Sequence, residues 1–291
     1  MALEVDFLMD NEHEYFKRYR TKSRYRRHTF IEEQQWRLKN TFQNFDFCKG
    51  IATSVLSIGT SDGTKDIPII DALLRRVEIV NYVVIEPSES EINKFKEFVS
   101  SKQDNGEWQN VRFTFYQVAL QTYLRKAIEA GEKTCFDIIL ALHCAYFFTD
   151  PGQTFVDLYE LLKNGGTLFN IMCAGAWEKL LKEVERHVGR RAAPCYGSIE
   201  LRGILQQRMP ALKMKILQRK DDVEVDECFK EDSKDGNEIL DFILQIVDVR
   251  KNVPKDVVDE LLLYLREQCC RTVDGKLYFE SGDEDIVIVK E

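Results

Sequence analysis

The chain has 291 residues, 49 acidic against 41 basic side chains for a net charge of −8, and 44% hydrophobic residues. That length and apolar content suffice for one catalytic core with an added subdomain, and the negative balance excludes a general nucleic-acid binder, which needs a basic face to neutralise phosphates. No apolar run is long enough for a signal peptide or a membrane span, and the eight cysteines lack C-x-x-C pairs or nearby histidines, so a cytoplasmic protein with reduced thiols and no metal site is expected.

Residues 1–50 carry helical patterning and make a candidate N-terminal lid. Seven of the eleven residues from Lys17 to Arg27 are basic, with Tyr19 and Tyr25 interleaved. At helical spacing these charges spread round the axis, which reads as a solvated face, with anionic-substrate attraction and RNA binding as alternatives. From Val55 apolar runs alternate with helical patterns. Strands are expected over 55–59, 82–86, 111–116, 136–143, 166–173, 212–218 and 285–289, and helices over 66–78, 88–101, 121–131, 153–164 and 177–188. Asn164-Gly165-Gly166 is expected to end a helix. Beyond it come an acidic loop from Asp221 to Asp235, helices near 238–247 and 254–270, and a polar turn at Ser281-Gly282-Asp283. The expected fold class is α/β and Rossmann-like: a core over 51–220 with a seven-stranded, mostly parallel sheet, a helical substrate subdomain over 221–280, and a last strand within 281–291 returning antiparallel.

The chemistry concentrates where two of these strands end. Val55-Leu56-Ser57-Ile58-Gly59-Thr60 runs from a buried strand into a glycine turn, and Tyr82-Val83-Val84-Ile85-Glu86-Pro87 stops on a carboxylate. Gly59 allows close backbone approach, and Glu86 carries two acceptor oxygens for the two hydroxyls of a ribose. The alternative is a plain βαβ unit whose Glu86 caps the next helix. Only Gly59 and Gly63 are present where a pyrophosphate wants G-x-G-x-x-G, so a nucleoside without phosphates fits better, and S-adenosylmethionine is the common cofactor of that description.

Leu56-Ser57-Ile58-Gly59, Val83-Val84-Ile85-Glu86-Pro87-Ser88 with Lys94-Phe95-Lys96-Glu97, Asn110-Val111-Arg112-Phe113, Phe136-Asp137 through Tyr146-Phe147, Trp177-Glu178-Lys179-Leu180 and the terminal Ile286-Val287-Ile288-Val289 together resemble the histamine N-methyltransferase family. The resemblance implies a class I S-adenosylmethionine-dependent methyltransferase fold with a small helical substrate subdomain. It places Ile58, Gly59, Thr60, Glu86, Pro87, Glu91, Leu120 and Leu142 at the cofactor, with Glu91 standing for a glutamine and Leu120 for a serine. It places Tyr15, Tyr19, Tyr146, Phe147, Trp177 and Phe242 in an aromatic substrate pocket, where ring faces would stabilise cationic character by roughly 0.5–2 kcal/mol each. The plainer reading of these rings is core packing.

The polar residues depart from the family. His28 stands where it has a carboxylate, and His143 and Ser281 stand at or near its amides. The resemblance therefore implies substrate contacts at His28, His143 and Ser281, and the two imidazoles can act as base or as orienting contacts near neutral pH. Without the carboxylate at position 28, histamine itself is expected to be a poor substrate, while Arg24 and Arg27 would tolerate a carboxylate-bearing one such as a histidine-containing dipeptide. The expected activity is methyl transfer to a nitrogen of a small imidazole-containing or aromatic amine by a monomer without nucleic-acid or membrane partners. The alternatives are a cofactor-binding protein without turnover and a methyltransferase that presents its basic helix to RNA or protein.

Overall fold

The computed structural model describes residues 3–42, 51–129, 135–189 and 196–291. The thiols of Cys48 and Cys195 and the last positions of the helix expected over 121–131 lie outside these residues. Apolar runs form strands β1 (Ala52–Ile58), β2 (Ile79–Ile85), β3 (Val111–Tyr116), β4 (Phe136–Leu142), β5 (Leu162–Gly175), β6 (Met214–Glu224), β7 (Cys270–Val273) and β8 (Lys276–Val289). The helices are α1 (Glu12–Arg24), α2 (Phe30–Asn40), α3 (Ile67–Leu74), α4 (Glu89–Asp104), α5 (Leu120–Glu129), α6 (Pro151–Glu160), α7 (Ala176–Val188), α8 (Ser198–Arg208), α9 (Lys234–Leu244), α10 (Val249–Asn252) and α11 (Lys255–Gln268). Local chemistry sets several starts: the side chains of Asn11, Ser88, Asp150 and Ser233 accept backbone N–H groups at the N-caps of α1, α4, α6 and α9. No helix among the described residues is long and apolar enough to cross a membrane.

Among the described residues the strands join in one eight-stranded sheet in the order β3-β2-β1-β4-β5-β8-β6, with β7 paired to β8. β1, β2, β3, β4 and β5 pair in parallel. Gly165 donates to the Lys290 carbonyl at 2.7 Å and Lys290 donates to that of Gly166 at 2.9 Å, which ties the start of β5 to the end of β8 and makes that pair antiparallel. The doubly wound class and the returning last strand are as expected from the sequence.

Three local expectations are corrected. Asn164-Gly165-Gly166 does not end a helix: α6 stops at Glu160, and the triplet lies in β5 where the partner of β4 jumps from Leu162 to Thr167. A Cβ on Gly166 would stand 3.0 Å from the Phe136 carbonyl oxygen, so glycine is demanded there by packing. Ser281-Gly282-Asp283 is mid-strand, and the chain instead reverses at Asp274-Gly275, whose φ values of 51° and 77° are the left-handed pair of a two-residue hairpin. Asp221 and Asp222 belong to β6 and are buried rather than in a loop. The helix α8 was not expected at all.

The chain divides into two compact units. The first comprises 1–29, 173–200 and 218–284, and the second 30–172, 201–217 and 285–291. The segment 1–50 is thus shared between them, and β5, β6 and β8 each continue from one unit into the other. The first unit packs around residues such as Phe7, Leu180, Leu240, Leu261 and Phe279, and the second around Val55, Tyr82, Phe95, Trp108 and Leu140.

Within the first unit the basic run of α1 is turned inward at two positions. Arg18 is 2% exposed and donates through Nε to Asp241 at 2.8 Å, through Nη2 to Asp248 at 3.0 Å, and to Glu14. Lys22 is buried as well, so the solvated-face reading fails for Arg18 and Lys22 while it holds for Arg20 and Arg24. A charge pattern alone does not reveal which side of a helix a neighbouring helix covers.

Within the second unit one buried carboxylate organises the turn after β1. Asp66, 1% exposed, accepts the hydroxyls of Thr60 at 2.6 Å, Tyr82 at 2.6 Å and Ser57. Burial pushes its carboxyl above the usual range, against those three hydrogen bonds. Asp66→Ala would strand three buried hydroxyls, so it is expected to lower stability by about 3 kcal/mol or more, read as a reduced denaturant midpoint at unchanged m-value. Unaltered stability would show that the three hydroxyls find other partners.

Candidate active site

Three parallel strands of the second unit end side by side. Ile58 of β1 lies opposite Ile85 of β2 and opposite Ala141 of β4, so the chain leaves the sheet at one carboxyl edge at Gly59, Glu86 and His143. β2 lies on one side of β1 and β4 on the other, which makes this edge the topological switch point of the sheet, where open α/β sheets hold ligands.

The glycines of the first turn answer to the protein's own packing. Gly59 has φ 58°, and a Cβ there would come within 2.5 Å of the Cys144 Cβ, so the residues after β4 press against the turn after β1. Gly63, at φ 76°, leaves room for the Phe95 ring, which would be 2.2 Å from an added Cβ. Close approach at Gly59 is thus real, but the space is filled by Cys144, whose thiol is buried and pushed up in pKa by desolvation and so behaves as a small hydrophobe.

Glu86 is 6% exposed and held on both oxygens. Oε2 accepts the Ser61 N–H at 2.8 Å and Oε1 accepts the Ser88 N–H at 2.9 Å. The capping reading of Glu86 is therefore realised at Ser88, and its two carboxylate oxygens are acceptors of the kind that two vicinal hydroxyls require. Glu91, in the first turn of α4, accepts the Ser61 hydroxyl at 2.7 Å and pairs with Lys94, so it steadies the same turn. Ile58, Thr60, Leu120 and Leu142 are buried, and Pro87 is exposed. Thr60 spends its hydroxyl on Asp66, a residue passed over in the sequence because its role depends on three hydroxyls remote in the chain.

His143 stands at the next position along the edge with φ 58°, a left-handed conformation uncommon for a residue with a side chain. Its N–H donates to the Ile171 carbonyl at 2.9 Å, and its Nδ1 lies 3.3 Å from the Tyr146 hydroxyl. A carboxylate oxygen of Glu33 lies within 4.8 Å of a ring nitrogen of His143. Glu33, 5% exposed and ion-paired with Arg37, is a site candidate that sequence reading missed, since nothing in the helix α2 pattern separates it from a surface acid. Phe147 follows Tyr146 and is half exposed.

In the first unit the structure brings together Tyr15, Tyr19, Trp177 and Phe242. The Tyr15 and Tyr19 rings stack with centroids 6.5 Å apart, both face Phe242 at 5.4 and 5.8 Å, and Trp177 lies 5.6 Å from Phe242. The Trp177 indole N–H is spent on the Ile243 carbonyl at 2.9 Å. Phe242 is fully buried, and the other three are partly exposed. Ser281 is buried in β8 of this unit. His28 follows the short pairing of Arg26 with Val223, and its ring makes no hydrogen bond or ion pair among the described residues. Arg24 and Arg27, which the sequence offered for a substrate carboxylate, are engaged by Asp235 at 3.0 Å and Asp222 at 3.7 Å.

The donor set at the sheet edge suits a nucleoside cofactor. Glu86 supplies the acceptors for ribose, apolar Ile58, Leu120 and Leu142 suit a base, and the turn from Gly59 to Gly63 carries Asp62 and no basic residue to favour a phosphate.

No protein-family profile matches the chain. Histamine N-methyltransferase from Danio rerio is 26% identical over 242 residues, 81% of each chain. Among solved structures, the YcgJ protein from Bacillus subtilis superimposes with a TM-score of 0.51 at 14% identity, covering 86% of this chain and 97% of that one. The plantazolicin methyltransferase BpumL, solved with SAH, gives a TM-score of 0.51 at 12% identity over 98% of this chain and 93% of that one. At such identities the structures speak to the fold alone.

Proposed function

We propose that this chain, a diverged relative of the histamine N-methyltransferases with an α/β methyltransferase fold, transfers a methyl group from S-adenosylmethionine to a nitrogen of a small imidazole-containing or aromatic amine other than histamine. It is taken to act as a cytoplasmic monomer on a free metabolite. The observation that carries this reading is the convergence of the Gly59 turn, the Glu86 carboxylate and the His143–Tyr146 pair at one carboxyl edge of the sheet. The cofactor supplies an electrophilic methyl on a sulfonium. Glu86, steadied by Ser61 and Ser88, would hold its ribose, and Leu120 and Leu142 would exclude water from the adenine.

Methyl transfer asks for a neutral lone pair held in line and then for removal of the acceptor's proton. His143, fixed by its backbone bond to Ile171 and flanked by Tyr146 and Glu33, is placed in this reading to take or relay that proton. Histamine is expected to be poor because position 28 lacks a carboxylate and Glu33 is already paired with Arg37.

The test is radiolabelled methyl transfer over imidazoles, including histamine, histidine and carnosine, and over aromatic amines. Product from at least one small amine is expected, with histamine at least tenfold below the best acceptor, and His143→Ala should lower kcat at least tenfold while S-adenosylhomocysteine still binds. Cofactor binding with no product from any amine would favour the reading without turnover.

A further inference from the structure

Two large rings of the second unit stand exposed at its carboxyl edge, Tyr116 at 41% and Phe147 at 51%. Phe147 comes after β4, beside the His143–Tyr146 pair, whereas Tyr116 ends β3, the outermost of the parallel strands, on the other side of Glu86.

The register fixes where the Tyr116 ring stands. Val111, Phe113 and Phe115 of β3 pack into the core of the second unit, as do Val80, Tyr82 and Val84 of β2 and Val55 of β1. Tyr116, Ile85 and Ile58 alternate with these residues, so they share the opposite face of the sheet, paired in one row at its carboxyl end. The Tyr116 carbonyl also accepts the Glu86 N–H at 3.1 Å, which binds the two residues together through their backbones. The Tyr116 ring leans on Tyr123 of α5, with centroids 5.2 Å apart and planes inclined at 60°, and Leu120 opens the same helix one turn earlier.

Strand order then sets the direction of a nucleoside cofactor. With the ribose hydroxyls on Glu86 at the end of β2 and the reacting methyl turned toward His143 after β4, the base runs the other way, toward β3. Neighbouring strands lie about 4.8 Å apart, so the four strands from β3 to β4 span roughly 14 Å, enough for base, ribose and sulfonium in sequence. The base therefore falls one strand away from Glu86, at Tyr116. Aromatic side chains at such positions hold a base by its π-face.

We infer that Tyr116 stacks on the adenine of the cofactor, with Tyr123 holding its ring in place. This rests on the methyltransferase reading, to which it adds a binding residue and an orientation, the base toward β3 and the methyl toward β4. The plainer account makes Tyr116 the last exposed position on an edge strand, after Arg112 and Thr114, and leaves its ring indifferent to the cofactor.

The test titrates the full chain with S-adenosylhomocysteine by calorimetry. Tyr116→Phe should bind within about twofold of wild type, whereas Tyr116→Ala and Tyr116→Leu should both bind about tenfold more weakly, since leucine restores apolar bulk without a π-face. The bond from the Glu86 N–H is made by the backbone and survives all three changes. Wild-type affinity in Tyr116→Leu overturns the proposal, and so does a loss in Tyr116→Phe as large as that in Tyr116→Leu, which would assign the effect to the hydroxyl. The leucine variant decides even should the alanine variant not fold. Failure of the wild-type chain to bind S-adenosylhomocysteine sinks the methyltransferase reading, whereas binding that Tyr116→Leu leaves undiminished sinks only this inference.

Discussion

Glu86→Ala is expected to weaken S-adenosylhomocysteine binding by at least a hundredfold. Two charge-assisted hydrogen bonds to ribose, each contributing about 1.5–3 kcal/mol, would be lost together, which is a factor of a hundred or more. The same truncation strands the N–H groups of Ser61 and Ser88, which Glu86 holds at 2.8 and 2.9 Å, and so loosens the turn that shapes the site. Glu86→Gln separates the two effects: its amide oxygen can keep one backbone contact, so a loss nearer tenfold is expected. Titration calorimetry on both variants checks this, and undiminished affinity in Glu86→Ala would remove the sheet edge from cofactor binding.

Arg18→Met is expected to cost about 3–5 kcal/mol of stability, because it leaves Asp241 buried without its cation. For a chain of this size the melting temperature should fall by roughly 10 °C. Asp241 also accepts the N–H groups of Asp248 at 3.0 Å and Val249 at 2.9 Å, so the change reaches the end of α9 and the start of α10. Burial raises the Asp241 carboxyl above its ordinary 3.8, with Arg18 among the groups opposing the rise. A carboxyl raised in the folded state favours folding when protonated, a contribution present below the unfolded pKa and lost as pH climbs through the folded one. Removing Arg18 raises it further, so the deficit of the variant should be smaller near pH 4–5 than at pH 7. Denaturant melts at the two pH values measure it, and a pH-independent deficit would mean that packing, and not charge, holds α1.

The parallel core was legible because each of its strands is an apolar run flanked by a helix of clear periodicity, and the run from Val55 to Glu86 alone sets Gly59 and Glu86 side by side at one carboxyl edge. The edges of the sheet were less so. Asp274-Gly275 is the strongest hairpin signal in its region, yet the more conspicuous Ser281-Gly282-Asp283 drew the turn away from it, since a strand whose polar residues are paired inside a unit looks like a loop in one dimension. The same limit hid Lys22, Glu33 and Asp66. A lysine in a basic run, a glutamate on a charged helix and an aspartate before a proline-started helix have ordinary surface meanings, and burial alone gives each another role.

The interleaving of the two units has a consequence for biosynthesis. Residues 3–29 are made before the segments they pack with, 173–200 and 218–284, and the second unit is not complete until its strand segment at 285–291 follows those of the first. Neither unit can finish vectorially: until residues 218–284 have emerged, Phe7 and Leu8, buried in the finished protein, lack part of the unit they pack into. For the same reason no single cut yields the first unit in isolation. Separating it for study would require splicing three stretches of chain across two new linkers.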